Sequence, residues 1–152
     1  VIAEVDDALC LLLGRNLPEG TVVRLDAPKP GWQTEPPGRS VDLFLFDLRD
    51  VPQRSGPWAA TAYALSYLVT AKAAKIREEH RLLDAVLRTV LANPVLTRDC
   101  FPAEFDYPDK EITLLVTGSE PGTLWTSIGM PARAGFVVTV TAPLDTAGVS
   151  ER

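Results

Sequence analysis

Apolar side chains return at three- and four-residue intervals at the start of the chain: Ile2, Val5, Leu9, Leu12 and Leu13 fall on one helical face, with Glu4, Asp7 and Arg15 opposite. This period predicts an amphipathic helix over residues 2–13. Its acidic residues occupy the first two turns, where they complement the positive end of the helix dipole, and Gly14 followed by Pro18 ends it. Leu11 points to the polar side and stays exposed unless another surface covers it.

The period then shifts to two. Thr21–Leu25 is short and β-branched and predicts a strand, while Pro28, Pro30, Gly31, Pro36, Pro37 and Gly38 cannot propagate regular structure and predict a long loop carrying Trp32. Val41–Leu48 places Val41, Leu43 and Leu45 on one face and Phe44, Phe46 and Leu48 on the other, the pattern of a central strand covered on both sides. Residues 60–71 are rich in alanine, which favours helix, yet Tyr63, Leu65, Tyr67 and Val69 alternate with Ala62, Ala64, Ser66 and Leu68. The alternation predicts a strand with one bulky face and one mostly small face, against which a helix can pack closely.

A helical stripe follows, formed by Leu82, Leu83, Val86, Leu87, Val90 and Leu91, with Arg77, Arg81, Asp84 and Arg88 on the opposite side. Glu78 and Glu79 start this helix and Asn93-Pro94 ends it. Thr97–Lys110 is punctuated by proline but holds Phe101, Phe105 and Tyr107, which predict an excursion anchored by aromatic rings. Two alternating strands, Ile112–Thr117 and Phe136–Thr141, flank a short helical piece, Pro121–Ile128, that carries Trp125. The connector Asp50–Trp58 is too short for a helical crossover, so the predicted class is α+β, a mixed, largely antiparallel sheet flanked by helices. Residues 1–143 read as a single domain and the small, polar residues 144–152 as a flexible tail.

Composition narrows the function. With 152 residues, 46% hydrophobic and 23% charged, the chain can bury one core and is far from the disordered regime. A net charge of -5 with no Lys/Arg cluster argues against nucleic acid, whose phosphates need concentrated cationic surface. The longest apolar run, Ala8–Leu13, is too short to span a bilayer, and the acidic start is unlike a secretory leader, so a membrane or targeting role is not expected. Val1 in place of Met is compatible with a trimmed segment or an unusual start.

Candidate chemistry is sparse. Recognised nucleophile, metalloprotease, phosphate-loop and dinucleotide motifs are missing, and Cys10 and Cys100 have no metal-ligand spacing, so neither a cofactor nor a metal is expected. His80, the single histidine, falls near the edge of the second helix's apolar stripe and reads as a partly covered packing residue. Cys10 and His80 could meet as nucleophile and base, which keeps open a small cysteine-dependent enzyme or ligand-binding domain. Asp6, near the apolar face of the first helix, could pair with a basic side chain, and Asp42 and Asp47 read mainly as solvated strand ends. Arg77, Arg81 and Arg88 are a solvated helix face or an electrostatic contact with an acidic neighbour. Trp32, Trp58 and Trp125, in or beside loops, lean toward interface use.

The strings IAEVDDALCLLL, VDLFLFDLRD, YALSYLVTAKA, EEHRLLDAVLRTVLANPVL and LWTSIG, in this order from Ile2 to about Pro143, resemble the N-terminal domain family of cap proteins in extracellular contractile injection systems. The resemblance implies a tail-terminator-like fold and a non-enzymatic role: a ring, expected to be homohexameric, that ends the inner tube and contacts the last sheath layer. It also implies that residues 60–71 are strand. Lys72 departs from the family pattern, which has an aromatic there, and family members often carry further C-terminal material. Such a ring subunit needs surfaces that close by rotation rather than catalytic groups, and Leu11, Trp32, Arg77, Arg81, Arg88 and Trp125 are the candidates for them.

Overall fold

The computed structural model describes residues 1–29, 38–51, 61–118 and 121–144. The elements run α1 (Ile2–Asn16), β1 (Val22–Arg24), β2 (Ser40–Val51), β3 (Thr61–Lys72), α2 (Ile76–Ala92), β4 (Val95–Leu96), a 3-10 turn (Arg98–Cys100), β5 (Ile112–Thr117), α3 (Gly122–Ser127) and β6 (Phe136–Leu144). The six strands form one sheet in the order β1-β2-β3-β6-β5-β4. Every neighbouring pair is antiparallel except β1 and β2, so the sheet is mixed and largely antiparallel.

Residues 61–72 form β3 because their period of two suits a sheet buried in its middle; the alanines do not override it. Leu65, Tyr67 and Val69 on the bulky face join Val5, Leu9 and Leu13 of α1, Leu82, Val86 and Val90 of α2, and Val138 and Val140 of β6 in the main core. The helices thus cover the bulky face and leave the small one, contrary to the sequence expectation: the large side chains bury more apolar area there. Each such side chain, fully buried, contributes about 1.5–3 kcal/mol. On the other face Leu68 and Val137 pair in register, both buried yet outside the main core.

The reading of β2 needs correction. Only Ser40–Leu43 are buried; Phe44–Asp47 are half-buried and Leu48–Asp50 exposed. The strand lies next to β1, one place from the end of the sheet. Its register against β3 slips between Leu45 and Asp47, making Phe46 a bulge residue. Before the slip Leu43 and Leu45 face Val69 and Tyr67; after it Leu48 faces Leu65, while Asp47 and Arg49 face Ser66 and Ala64. Leu48 therefore shares a face with Leu43 and Leu45, not with Phe44.

Both helices depart from the pattern in detail. Helix α1 runs through Gly14 to Asn16, whose side-chain amide donates to the Leu12 carbonyl at 2.8 Å, and Ile2 is exposed. In α2, Leu91 is 66% exposed although it sits on the predicted stripe, because it lies on the opposite side of the helix from Leu82 and away from the face that Val86, Thr89 and Val90 bury. The aromatic excursion is anchored as its composition predicts. Phe101 is buried, its ring stacks on Phe105 at 4.5 Å, and Tyr107 meets it edge-on at 5.5 Å and donates to the Leu96 carbonyl. That last bond holds β4, a two-residue strand too short for a sequence period to reveal. Of the tail expected at 144–152, Leu144 ends β6, and the rest, with the segments holding Trp32 and Trp58, lies outside the described residues.

Two glycines separate local from packing effects. A Cβ on Gly14 would meet nothing within 4 Å, whereas one on Gly135 would lie 2.8 Å from the Val69 carbonyl oxygen. In urea denaturation, Gly14→Ala is expected to raise stability by about 0.5–1 kcal/mol through helix propensity. Gly135→Ala is expected to lower it by about 1–3 kcal/mol, since backbone must move.

Candidate assembly surfaces

Helix α1 meets the sheet through one polar contact buried under its apolar face. The Tyr67 hydroxyl, in a side chain with no exposed surface, donates to Asp6 at 2.6 Å. Burial first, and the bond to Asp6 second, push the Tyr67 phenol well above its usual range. Asp6 is thus taken by a tyrosine within the subunit and not by the basic partner its position suggested. Cys10 is half-buried beside this contact and packs against the core. Burial, with Asp6 and Asp7 nearby, pushes its thiol up to about 11. A nucleophilic cysteine needs the opposite environment, one that stabilises thiolate.

His80, expected to be partly covered, is exposed on α2. On the helical wheel it lies toward Leu91, away from the face the helix buries. The structure gives the Cys10 and His80 pair no activated nucleophile. Among the described residues, no group of three His, Cys, Asp or Glu side chains could hold a metal ion.

The charges that sequence reading missed are buried ones. Asp42, with no exposed surface, accepts from Arg24 at 2.9 and 3.4 Å, because parallel pairing sets Arg24 in register with Asp42. Nothing in the sequence reveals a parallel register. Thr70 faces Asp42 across β3 and Lys72 faces Ser40, and all four are buried, Lys72 to 1% exposure. Glu79 of α2 is similarly committed: it accepts from Arg133 at 2.7 Å and from the Ala73 amide at 3.3 Å, tying the approach to β6 to the β3–α2 turn. Asp47, read as a solvated strand end, pairs with Arg49 at 2.6 Å on the surface.

The six side chains predicted for interfaces separate into three groups. Leu11 is 43% exposed on the outer side of α1, near exposed Asp7. Arg77, Arg81 and Arg88 are exposed on the outer side of α2, where Arg88 pairs with Asp84 at 2.9 Å. Trp125 is only 3% exposed, so it is a packing residue of this subunit and not a presented one. A tryptophan on a one-and-a-half-turn helix exposes too much apolar area to stay in water when the sheet is near. Trp32 lies outside the described residues.

Two backbone surfaces complete the picture. Among the described residues, β1 pairs with β2 only as far as Asp42, leaving the outer edge of β2 from Leu43 to Val51 without a strand partner. The bulge at Phe46 and the charges of Asp47, Arg49 and Asp50 blunt this edge against indiscriminate pairing. Over the small face, Ser66, Thr139 and Thr117 link by side-chain hydroxyl bonds across three strands, and all three are half-buried. The described residues therefore present a bulged strand edge, helix ridges and a hydroxyl-lined sheet face. No helix among them is long and apolar enough to cross a membrane.

The sequence model described as the Pvc16 N-terminal domain matches residues 4–152. Among solved structures, the chain resembles a sheath/tube terminator of an extracellular contractile injection system, PVC, in its extended state, with a TM-score of 0.72 and 19% identity over 95% of this chain and 56% of that one. It also resembles the tube-terminating cap of the anti-feeding prophage, with a TM-score of 0.68 and 18% identity over 100% of this chain and 56% of that one. The chain thus spans just over half the length of both. No curated protein matches it.

The Tyr67–Asp6–Cys10 contact gives two expectations. Tyr67→Phe removes the donor to Asp6 and should cost about 1–2 kcal/mol in urea denaturation. Because the folded state holds the Cys10 proton to about pH 11 and the free thiol releases it near 9.0, the Cys10 contribution to stability is complete below pH 9 and is lost as pH rises toward 11. Native Cys10 should accordingly react with iodoacetamide at pH 8 far more slowly than in urea-unfolded chain; equal rates would contradict the geometry.

Proposed function

The chain belongs to the Pvc16 N-terminal domain family, and from that premise we propose that it is the capping domain of a contractile phage-tail-like injection system. Copies of it form a ring on the end of the inner tube, stop tube growth and contact the last sheath layer. The observation that carries this reading is the match of 95–100% of the chain to a sheath/tube terminator and to a tube-terminating cap. Residues 1–143 supply the capping domain, and the ring is a homohexamer, as the family resemblance implies.

The physical arrangement supports a structural and not a catalytic role. The only candidate nucleophile considered, Cys10, sits where its thiol is held protonated, and the buried charges are spent on internal pairs: Arg24 on Asp42, Arg133 on Glu79. Outward-facing features are leucines, arginines and an incompletely paired strand edge, which suit contact with other protein surfaces. A ring subunit must offer two different surfaces that meet on rotation, and a sheet with one face under helices and one half-buried face has that asymmetry.

Negative-stain imaging of the chain mixed with polymerised tube of its own system should show a closed ring at one tube end, and deletion of the gene should give tubes of uncontrolled length. A chain that ignores tube ends, together with particles of normal length in the deletion strain, would remove the capping role.

A further inference from the structure

Ahead of its exposed leucine the outer side of α1 is acidic and that of α2 is basic; Arg15, one turn beyond Leu11, is paired with Asp99 at 3.3 Å. On α1, Asp7 and Leu11 are four residues apart and so share one ridge, with Glu4 on its flank, where the terminal amine lies 3.4 Å from its carboxylate. On α2, Arg81 and Arg88 lie on the ridge that ends at Leu91; Arg88 shares itself with Asp84, and basic charge remains in excess because Arg77 and Arg81 are exposed on the same side. We propose that the Asp7–Leu11 ridge of one copy seats on the Arg88–Leu91 ridge of a second copy of this chain. The proposal rests on the ring reading above and names the surfaces that ring would use.

Charge and spacing together select the occupant. A lone exposed leucine needs no explanation. Here each leucine stands about one turn beyond a charge, and the charge on the other ridge is opposite. Along the helix axis Asp7 precedes Leu11 by about 6 Å, and Arg88 precedes Leu91 by about 4.5 Å. With the two leucines opposed and the helices running the same way, the Asp7 carboxylate and the Arg88 guanidinium come face to face, while Glu4 and Asp84, each held by a cation of its own subunit, come level with one another. Run the opposite way, the same leucines would put the charges at opposite ends. The two ridges are different surfaces, so a copy engaged through α1 still offers its α2. Such a head-to-tail contact repeats, and it closes into a ring when the rotation allows. Exposed charges steer and set register more than they add affinity, which suits a subunit that must stay dispersed until a tube end collects it.

The test is a charge swap on the whole chain. Variants D7K and R81E/R88E change only exposed positions, and circular dichroism and thermal unfolding should leave both folded. By analytical ultracentrifugation at low salt, the wild-type chain should self-associate, and the association should weaken from about 0.05 to 0.5 M salt as screening shortens the reach of these charges. Each variant alone should lose about tenfold or more in association constant, and an equimolar mixture of the two should recover most of it, since every junction between unlike copies is either the native pairing or the fully swapped one. Variants that associate like wild type, or a mixture no better than its components, overturn the ridge assignment. Rings still formed on tube ends by both variants would do so while leaving the capping role intact. A wild-type chain that is monomeric at every concentration and ignores tube ends would sink both. If only R81E/R88E fails, and it fails at tube or sheath binding with self-association unchanged, the α2 ridge serves another protein and the proposal is wrong.

Discussion

The burial of the bulky face of β3 beneath α1 and α2 is the constraint on which the rest of this molecule depends. Leu65, Tyr67 and Val69 stand in the middle of a six-stranded sheet, and their volume determines which face the helices can cover. Once both helices lie there, the small residues opposite are left to pack more thinly, the outer sides of the helices become the molecule's charged relief, and the strand edges remain the parts least enclosed. Tyr67 adds a polar tie to this apolar contact. Its hydroxyl fixes where α1 sits along the sheet through Asp6, so the orientation of the α1 ridge follows from one bond inside the core.

Much of this architecture was legible from period alone. The switch from period two in residues 61–72 to a helical stripe after Arg77 marks β3 and α2, and it survives because a buried strand and a one-sided helix have different spacing requirements. The positions that escaped are those governed by partners distant in sequence. Arg24 and Asp42 meet only because β1 runs parallel to β2, Glu79 and Arg133 because the approach to β6 passes the start of α2, and neither encounter leaves a local trace. Leu91 and His80 were misplaced for a different reason: the stripe drawn from Leu82 to Leu91 is wider than the face the helix buries, and both residues fall on its outer flank. Trp125 shows the same limit, since a tryptophan beside a loop is equally compatible with an interface and with the core that holds it here.

The distribution of ionisable groups explains why the fold lends itself to assembly better than to chemistry. A reactive centre gathers groups whose charge states are poised against one another. Here burial suppresses the ionisation of Cys10 and Tyr67, while Asp42 and Glu79 each have an arginine. Exposed charge lies on the helix exteriors, with Asp7 on α1 and Arg77, Arg81 and Arg88 on α2.

The slip at Phe46 has a further consequence. One surplus residue reverses the phase of β2, so the half of the strand nearest β1 and the half beyond it obey different rules for what may be substituted. Were Phe46 drawn into the ladder opposite Ser66 with no residue removed, Asp47 and Arg49 would rotate beneath the helices and Leu48 away from them, exchanging a charged rim for an oily one. The bulge is therefore what keeps the charged rim outside, and a strand lacking Phe46 would pair regularly with the same side chains on each face.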